Sequence, residues 1–126
     1  NISYVKDSIF HKFPNLNFLC SKKNTYSHNF RLSIETLNST GFLDAMFLNH
    51  PVLLLLDKNY SPIRSNAKNI INNLKKAKIV HNSSNSISGF LNSNYSDINK
   101  WWNSKKVQDS RKIFCNNNNL NSFDNR

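Results

Sequence analysis

No stretch of this 126-residue chain approaches the roughly 18 apolar residues that a membrane-spanning helix requires, and its first residues carry no signal-like pattern. A transmembrane segment is therefore not expected. Cysteine is nearly as scarce. Cys20 and Cys115 stand alone, without metal-ligand spacing, which predicts reduced thiols in a cytoplasmic protein rather than a disulfide framework or a zinc site. Acidic residues are also few, 7 against 17 Lys and Arg, leaving a net charge of +10. Such a charge suits nucleic acid, an anionic membrane surface or a small anionic substrate. The chain lacks the Arg-rich stripe or basic helix that nucleic-acid binding favours, and small clusters such as Lys22-Lys23, Lys75-Lys76-Lys78 and Lys105-Lys106 read as solvated surface. The chain also starts at Asn1 without Met, so it reads as a piece of a longer protein.

What is present is enough for one domain with a modest core: 38% hydrophobic residues, 12% aromatics and 126 positions. About a fifth of the residues are Asn. That bias reads as compositional drift, and Asn-x-Ser/Thr triplets within it arise by chance.

The organising stretch spans residues 31–57. An apolar-leaning run (31–37) meets the polar corner Asn38-Ser39-Thr40-Gly41, followed by a helix-length segment (42–48), a break at His50-Pro51 and five apolar residues from Val52 to Leu56. Strand, tight turn, helix, loop and strand are predicted, and an uninterrupted apolar run suits a strand covered on both faces of a parallel sheet. The natural arrangement is a right-handed βαβ unit.

Ligands of open parallel sheets bind beyond the carboxyl ends of the strands, where a helix N-terminus offers free N–H groups and partial positive charge to an anion. The hydroxyls of Ser39 and Thr40 and the amide of Gly41 suit a phosphate there. The same residues suit an ordinary helix cap, which is the commoner use of Ser and Thr ahead of an apolar helix.

Before this unit, Ile2, Val5, Ile9 and Phe13 predict a helix that Pro14 ends, and residues 16–20 predict a strand. After it, residues 57–62 carry turn chemistry at a strand's carboxyl end. A helix then starts near Pro62, with Ile63, Ala67, Ile70, Ile71, Leu74 and Ala77 on one stripe. Arg64 lies in its first turn, where a cation opposes the helix dipole, which marks it as a ligand candidate. A short strand at 79–81, a helix capped by Asn82-Ser83-Ser84 and running to Leu91, and two final helices at 97–103 and 104–115 complete an α/β layer fold. Trp101, Trp102, Val107 and Phe114 are predicted to dock the last helices. Residues 116–126 are polar, lack periodicity and are expected to be frayed.

The run from Asn38 to Ala45, the Asn49-His50-Pro51-Val52 segment, Asn59-Tyr60 to Arg64, Ala67-Lys68, Ile79-Val80-His81, Trp101-Trp102-Asn103-Ser104, Val107-Gln108, Arg111 and Phe114-Cys115 resemble the donor side of GT-B glycosyltransferases. More closely, they resemble the C-terminal part of a bacterial transferase family of surface carbohydrate and lipopolysaccharide synthesis. The resemblance implies a Rossmann-like parallel sheet flanked by helices, the C-terminal half of a GT-B fold, with one donor-binding domain over residues 1–115 and a polar tail over 116–126. It further implies a nucleotide-sugar donor, with Asn38, Ser39, Thr40 and Gly41 at its phosphates, Asp44 at a hydroxyl, and Tyr60 and Arg64 closing over the charged end. Asp44 stands where such enzymes carry Glu. No metal or other cofactor is required in this scheme. The acceptor, a glycan or a lipid-linked molecule, would belong to a missing N-terminal half, and the location would be cytoplasmic, with peripheral contact at the inner face of the membrane allowed. The competing readings are a basic module for single-stranded nucleic acid, with Trp101 and Trp102 stacking on bases, and an inactive interaction remnant. His50 is expected to be a loop residue, not a base.

Overall fold

The structure is a computed structural model that describes residues 14–15, 30–36, 40–56 and 67–124. The helix expected over 2–13, the strand over 16–20, Cys20, Asn38 and Ser39, and the 57–66 segment with Tyr60 and Arg64 lie outside the described residues. Within them the chain runs β1 (Ser33–Glu35), α1 (Thr40–Phe47), β2 (Val52–Leu55), α2 (Lys68–Lys76), β3 (Val80–His81), α3 (Ser84–Asn94), a 3₁₀ turn (Tyr95–Asp97), α4 (Ile98–Trp102) and α5 (Lys105–Asp124). The strands form one parallel sheet in the order β1-β2-β3, with Ser33 opposite Val52 and Leu54 opposite Val80. Strands and helices alternate as expected, and the fold is a Rossmann-like α/β sheet flanked by helices.

The apolar run of β2 explains its central place. Val52 and Leu54 face a cluster with Phe42, Ala45 and Met46 of α1, Ile71 and Leu74 of α2, and Val107 and Phe114 of α5. Alternation along a strand sends Leu53 to the opposite face, where it too is fully buried. Helix α3 packs on β2 and β3, and Ile87 and Ile98 are buried outside the main cluster. Both faces of the central strand are thus covered, the condition that its unbroken hydrophobicity predicts.

Each helix returns to its next strand through a very short turn. After α1, the amide of Asn49 bonds to the Met46 carbonyl at 3.3 Å and that of His50 to the Ala45 carbonyl at 2.9 Å, with Asn49 at φ 57°. After α2 the pattern recurs at 3.0 Å and 2.9 Å, Lys78 to Lys75 and Ile79 to Leu74, with Lys78 at φ 70°. This is the helix-terminating Schellman arrangement, in which one residue adopts the left-handed conformation and the last carbonyls are satisfied. Glycine usually fills that position; here Asn and Lys do.

The last two helices clasp these turns. Trp101 donates its indole N–H to the Ala77 carbonyl at 3.0 Å, and Trp102 donates to Asn49 Oδ1 at 2.8 Å. Adjacent tryptophans therefore hold two successive helix ends, at the amino edge of the sheet. Helix α5 then packs back on α1 and α2, with Phe114 edge-on to Phe42 at 5.4 Å. It continues to Asp124, past Cys115 where the apolar periodicity stops; Asn117 bonds to the Ile113 carbonyl one turn back. No described helix is long and apolar enough to cross a membrane.

Candidate functional site at the carboxyl edge of the sheet

Strand β1 ends at Glu35 and α1 begins at Thr40, so the first helix opens at the carboxyl edge of the sheet, as the βαβ reading requires. Of the predicted donor residues, the structure describes three. Thr40 is exposed in the first turn of α1, Gly41 is half-buried beside it, and Asp44 is exposed one turn further on. Residues four apart share a helix face, so Thr40 and Asp44 are brought together on the exposed side, opposite the buried Phe42, Ala45 and Met46. Asn38, Ser39, Tyr60 and Arg64 lie outside the described residues.

Glu35 is the residue that sequence reasoning missed. Its carboxylate lies so close to α1 that a Cβ placed on Gly41 would fall 2.9 Å from Oε1 and 3.1 Å from Oε2. A glycine in the second position of α1 is what allows this approach. The half-buried carboxylate thus sits beside the helix end that attracts anions, and burial pushes its acid above the usual carboxylate range. The available signal was its place as the lone acid in the run that leads into the polar corner. That signal was masked because only spatial proximity separates it from an ordinary surface acid.

At the end of β3, Ser83 caps α3, its Oγ accepting from the Ser86 amide at 3.1 Å. His81 is buried, and burial lowers its pKa. Its Nε2 donates to the Lys78 carbonyl at 2.7 Å, because a carbonyl can only accept; Nδ1 then accepts from the Ser86 hydroxyl at 2.7 Å. Among the described residues no three His, Cys, Asp or Glu come together in a group able to hold a metal ion.

The Trp-Trp-Asn-Ser segment stands at the opposite edge. Gln108 donates to Asn49 Oδ1 at 3.1 Å and to the Trp102 carbonyl at 2.8 Å, and accepts from Arg111 Nε at 3.0 Å. Arg111 in turn donates to the Met46 carbonyl at 2.9 Å. Trp102, Asn49, Gln108, Arg111 and Met46 form one polar latch that ties α5 to the end of α1. Trp102 is 2% exposed, so its ring is not offered to a nucleic-acid base. His50 is buried in the loop before β2, its Nε2 2.6 Å from the Phe30 carbonyl, at the edge away from the corner. Cys115 lies on α5, where burial raises its thiol pKa and favours the protonated form, outweighing the Arg111 cation, which favours the thiolate.

With this arrangement in view, the comparison with known families is decisive at one level. Residues 3–125 match the LIC12162 family transferase. The chain belongs to that family. No curated protein and no solved structure matches it. Membership of the LIC12162 family places the chain among transferases, and the latch residues that carry part of the sequence resemblance prove to be structural supports for its helices.

Proposed function

We propose that this LIC12162 family chain is the donor-binding part of a glycosyltransferase of surface polysaccharide or lipopolysaccharide synthesis, corresponding to the C-terminal half of a GT-B fold. The observation that carries the reading is the open first turn of α1 at the carboxyl edge of a parallel sheet, with Thr40 and Asp44 on its exposed face. In this scheme Asn38, Ser39, Thr40 and the Gly41 amide receive the phosphates of a nucleotide sugar. Asp44 accepts a hydroxyl of the donor, while Tyr60 and Arg64 close over the charged end. A glycan or lipid-linked acceptor is held by a separate N-terminal half.

Catalysis in such a site comes from orienting donor and acceptor and from stabilising the departing phosphate, whose negative charge grows in the transition state. Helix amides and the Arg64 guanidinium supply that stabilisation. Glu35 adds a constraint: a second carboxylate beside α1 opposes a phosphate when ionised, and its shift toward the neutral acid lessens the opposition.

Calorimetric titration of nucleoside diphosphates against the wild type, Ser39→Ala and Arg64→Ala tests the reading. Weaker binding by both variants is expected. Equal binding by all three proteins removes the assigned site.

A further inference from the structure

A second concavity lies at the β3 end of the sheet, across β2 from the strand that leads into the α1 corner. It is an open cavity of about 490 Å³ beside β3, walled by α3 and by Trp101 of α4. Strand β2 separates β3 from β1, so this cavity is distinct from the proposed donor corner.

Its aromatic walls are held in place by hydrogen bonds within the fold. The His81 ring is tied through both nitrogens, to Ser86 and to the Lys78 carbonyl, and the Trp101 indole is tied to the Ala77 carbonyl. Phe90 stands between them, 5.5 Å from the His81 ring and 4.8 Å, edge to face, from that of Trp101. A ligand meeting these rings would not have to order them, which removes one of the entropic costs of binding at a surface.

Gly89 enlarges the cavity. It sits inside α3, where glycine destabilises a helix relative to alanine, yet a Cβ added there would meet nothing within 4 Å. No packing return within the described residues offsets that cost. The space is open to a visitor.

The lining selects the kind of visitor. Asn85, Ser93 and Asn94 offer neutral donors and acceptors, and Lys78 is the one charged side chain among the lining residues. With no carboxylate the cavity does not suit a metal ion or an organic cation, and a single lysine is too little for a polyanion. Its rings meet edge to face, leaving no parallel slot for a nucleobase. Fixed aromatic surface interleaved with neutral hydroxyl and amide groups matches a molecule that alternates C–H patches with hydroxyls.

We infer that the cavity between β3 and α3 is a binding site for a neutral carbohydrate. The inference stands apart from the donor reading, since it uses none of the same residues.

Titration of the isotope-labelled chain with glucose, N-acetylglucosamine and lactose, followed by NMR, tests it. At least one sugar should shift the Trp101 indole and Gly89 amide resonances saturably, with a dissociation constant in the millimolar range. Gly89→Phe, which fills the cavity, should abolish the shifts, while Gly89→Ala should keep them. If Gly89→Phe loses its dispersed spectrum, Ser93→Leu on the cavity wall serves in its place. Absence of shifts with all three sugars, shifts that survive the filled cavity, or a response to inorganic phosphate alone would overturn the inference. Loss of nucleoside diphosphate binding in Ser39→Ala would leave it untouched.

Discussion

Asn49 is the position where backbone conformation and the polar latch can be separated. Its φ of 57° is left-handed, and its Oδ1 accepts from Trp102 at 2.8 Å and from Gln108 at 3.1 Å. Replacing it by alanine removes two side-chain hydrogen bonds, worth about 1–3 kcal/mol together. It also places a Cβ without a local polar partner in the left-handed region, which adds about 1 kcal/mol. The expected destabilisation is therefore about 2–4 kcal/mol. Glycine removes the same two bonds but adopts this conformation freely, so Asn49→Gly should cost about 1 kcal/mol less than Asn49→Ala. Asn49→Asp keeps an acceptor and should stay within about 1 kcal/mol of the wild type. Urea denaturation monitored by tryptophan fluorescence reads all three, because Trp102 reports directly on the latch. The reasoning fails if Asn49→Gly is more stable than the wild type. That result would mean that the bonds to Trp102 and Gln108 contribute nothing and that only the backbone strain at Asn49 matters.

The companion turn gives the opposite sign. Lys78 is left-handed at φ 70° and its side chain is exposed, so Lys78→Gly should raise stability by up to about 1 kcal/mol in the same urea assay. Glu35→Gln should tighten nucleoside diphosphate binding by calorimetry, since it removes a negative charge from beside the first turn of α1. Because the folded state raises the Glu35 pKa, the wild type holds that proton more tightly when folded, and its stability should fall as pH rises from the ordinary carboxylate range through the raised value; Glu35→Gln should flatten this part of a pH series of thermal melts. His81 has the reverse linkage. Its folded pKa is lowered by burial, so its contribution is complete above the ordinary histidine value near 6.5 and is lost as pH falls below it, which NMR titration of the ring, together with melts from neutral to acid pH, would follow.

Local patterns in the chain were sufficient for the order of layers. The unbroken apolar run of β2, the stripe of Ile71, Leu74 and Ala77 on α2, and the serine cap of α3 each operate over a few residues, and each appears in the fold where its pattern placed it. Most boundaries moved by a few residues, while the last helix runs well past its expected end at Cys115, to Asp124. Helix α1 starts at Thr40 instead of Phe42, β1 narrows to Ser33–Glu35, and α3 extends to Asn94, because hydrogen bonding decides an end while side-chain periodicity marks only a middle.

The candidate site was less legible, and distance along the chain explains why. Thr40, Gly41 and Asp44 could be named because they occupy one turn of one helix. That Glu35 touches the first turn of α1 depends on how the chain reverses between them, which no periodicity encodes. The tryptophan pair shows the same limit more strongly. Their adjacency on a short helix favoured packing over base stacking, but the groups they hold, the Ala77 carbonyl and Asn49, lie 24 and 53 residues away, and no local pattern names them. The amino-acid sequence by itself thus determined the alternation of strand and helix and the burial of the central strand, since these follow from short-range geometry and hydrophobic patterning. Only the tertiary structure decided which polar groups meet, because a hydrogen bond depends on positions in space that residues far apart in the chain acquire together, once the sheet and its helices have closed on one another.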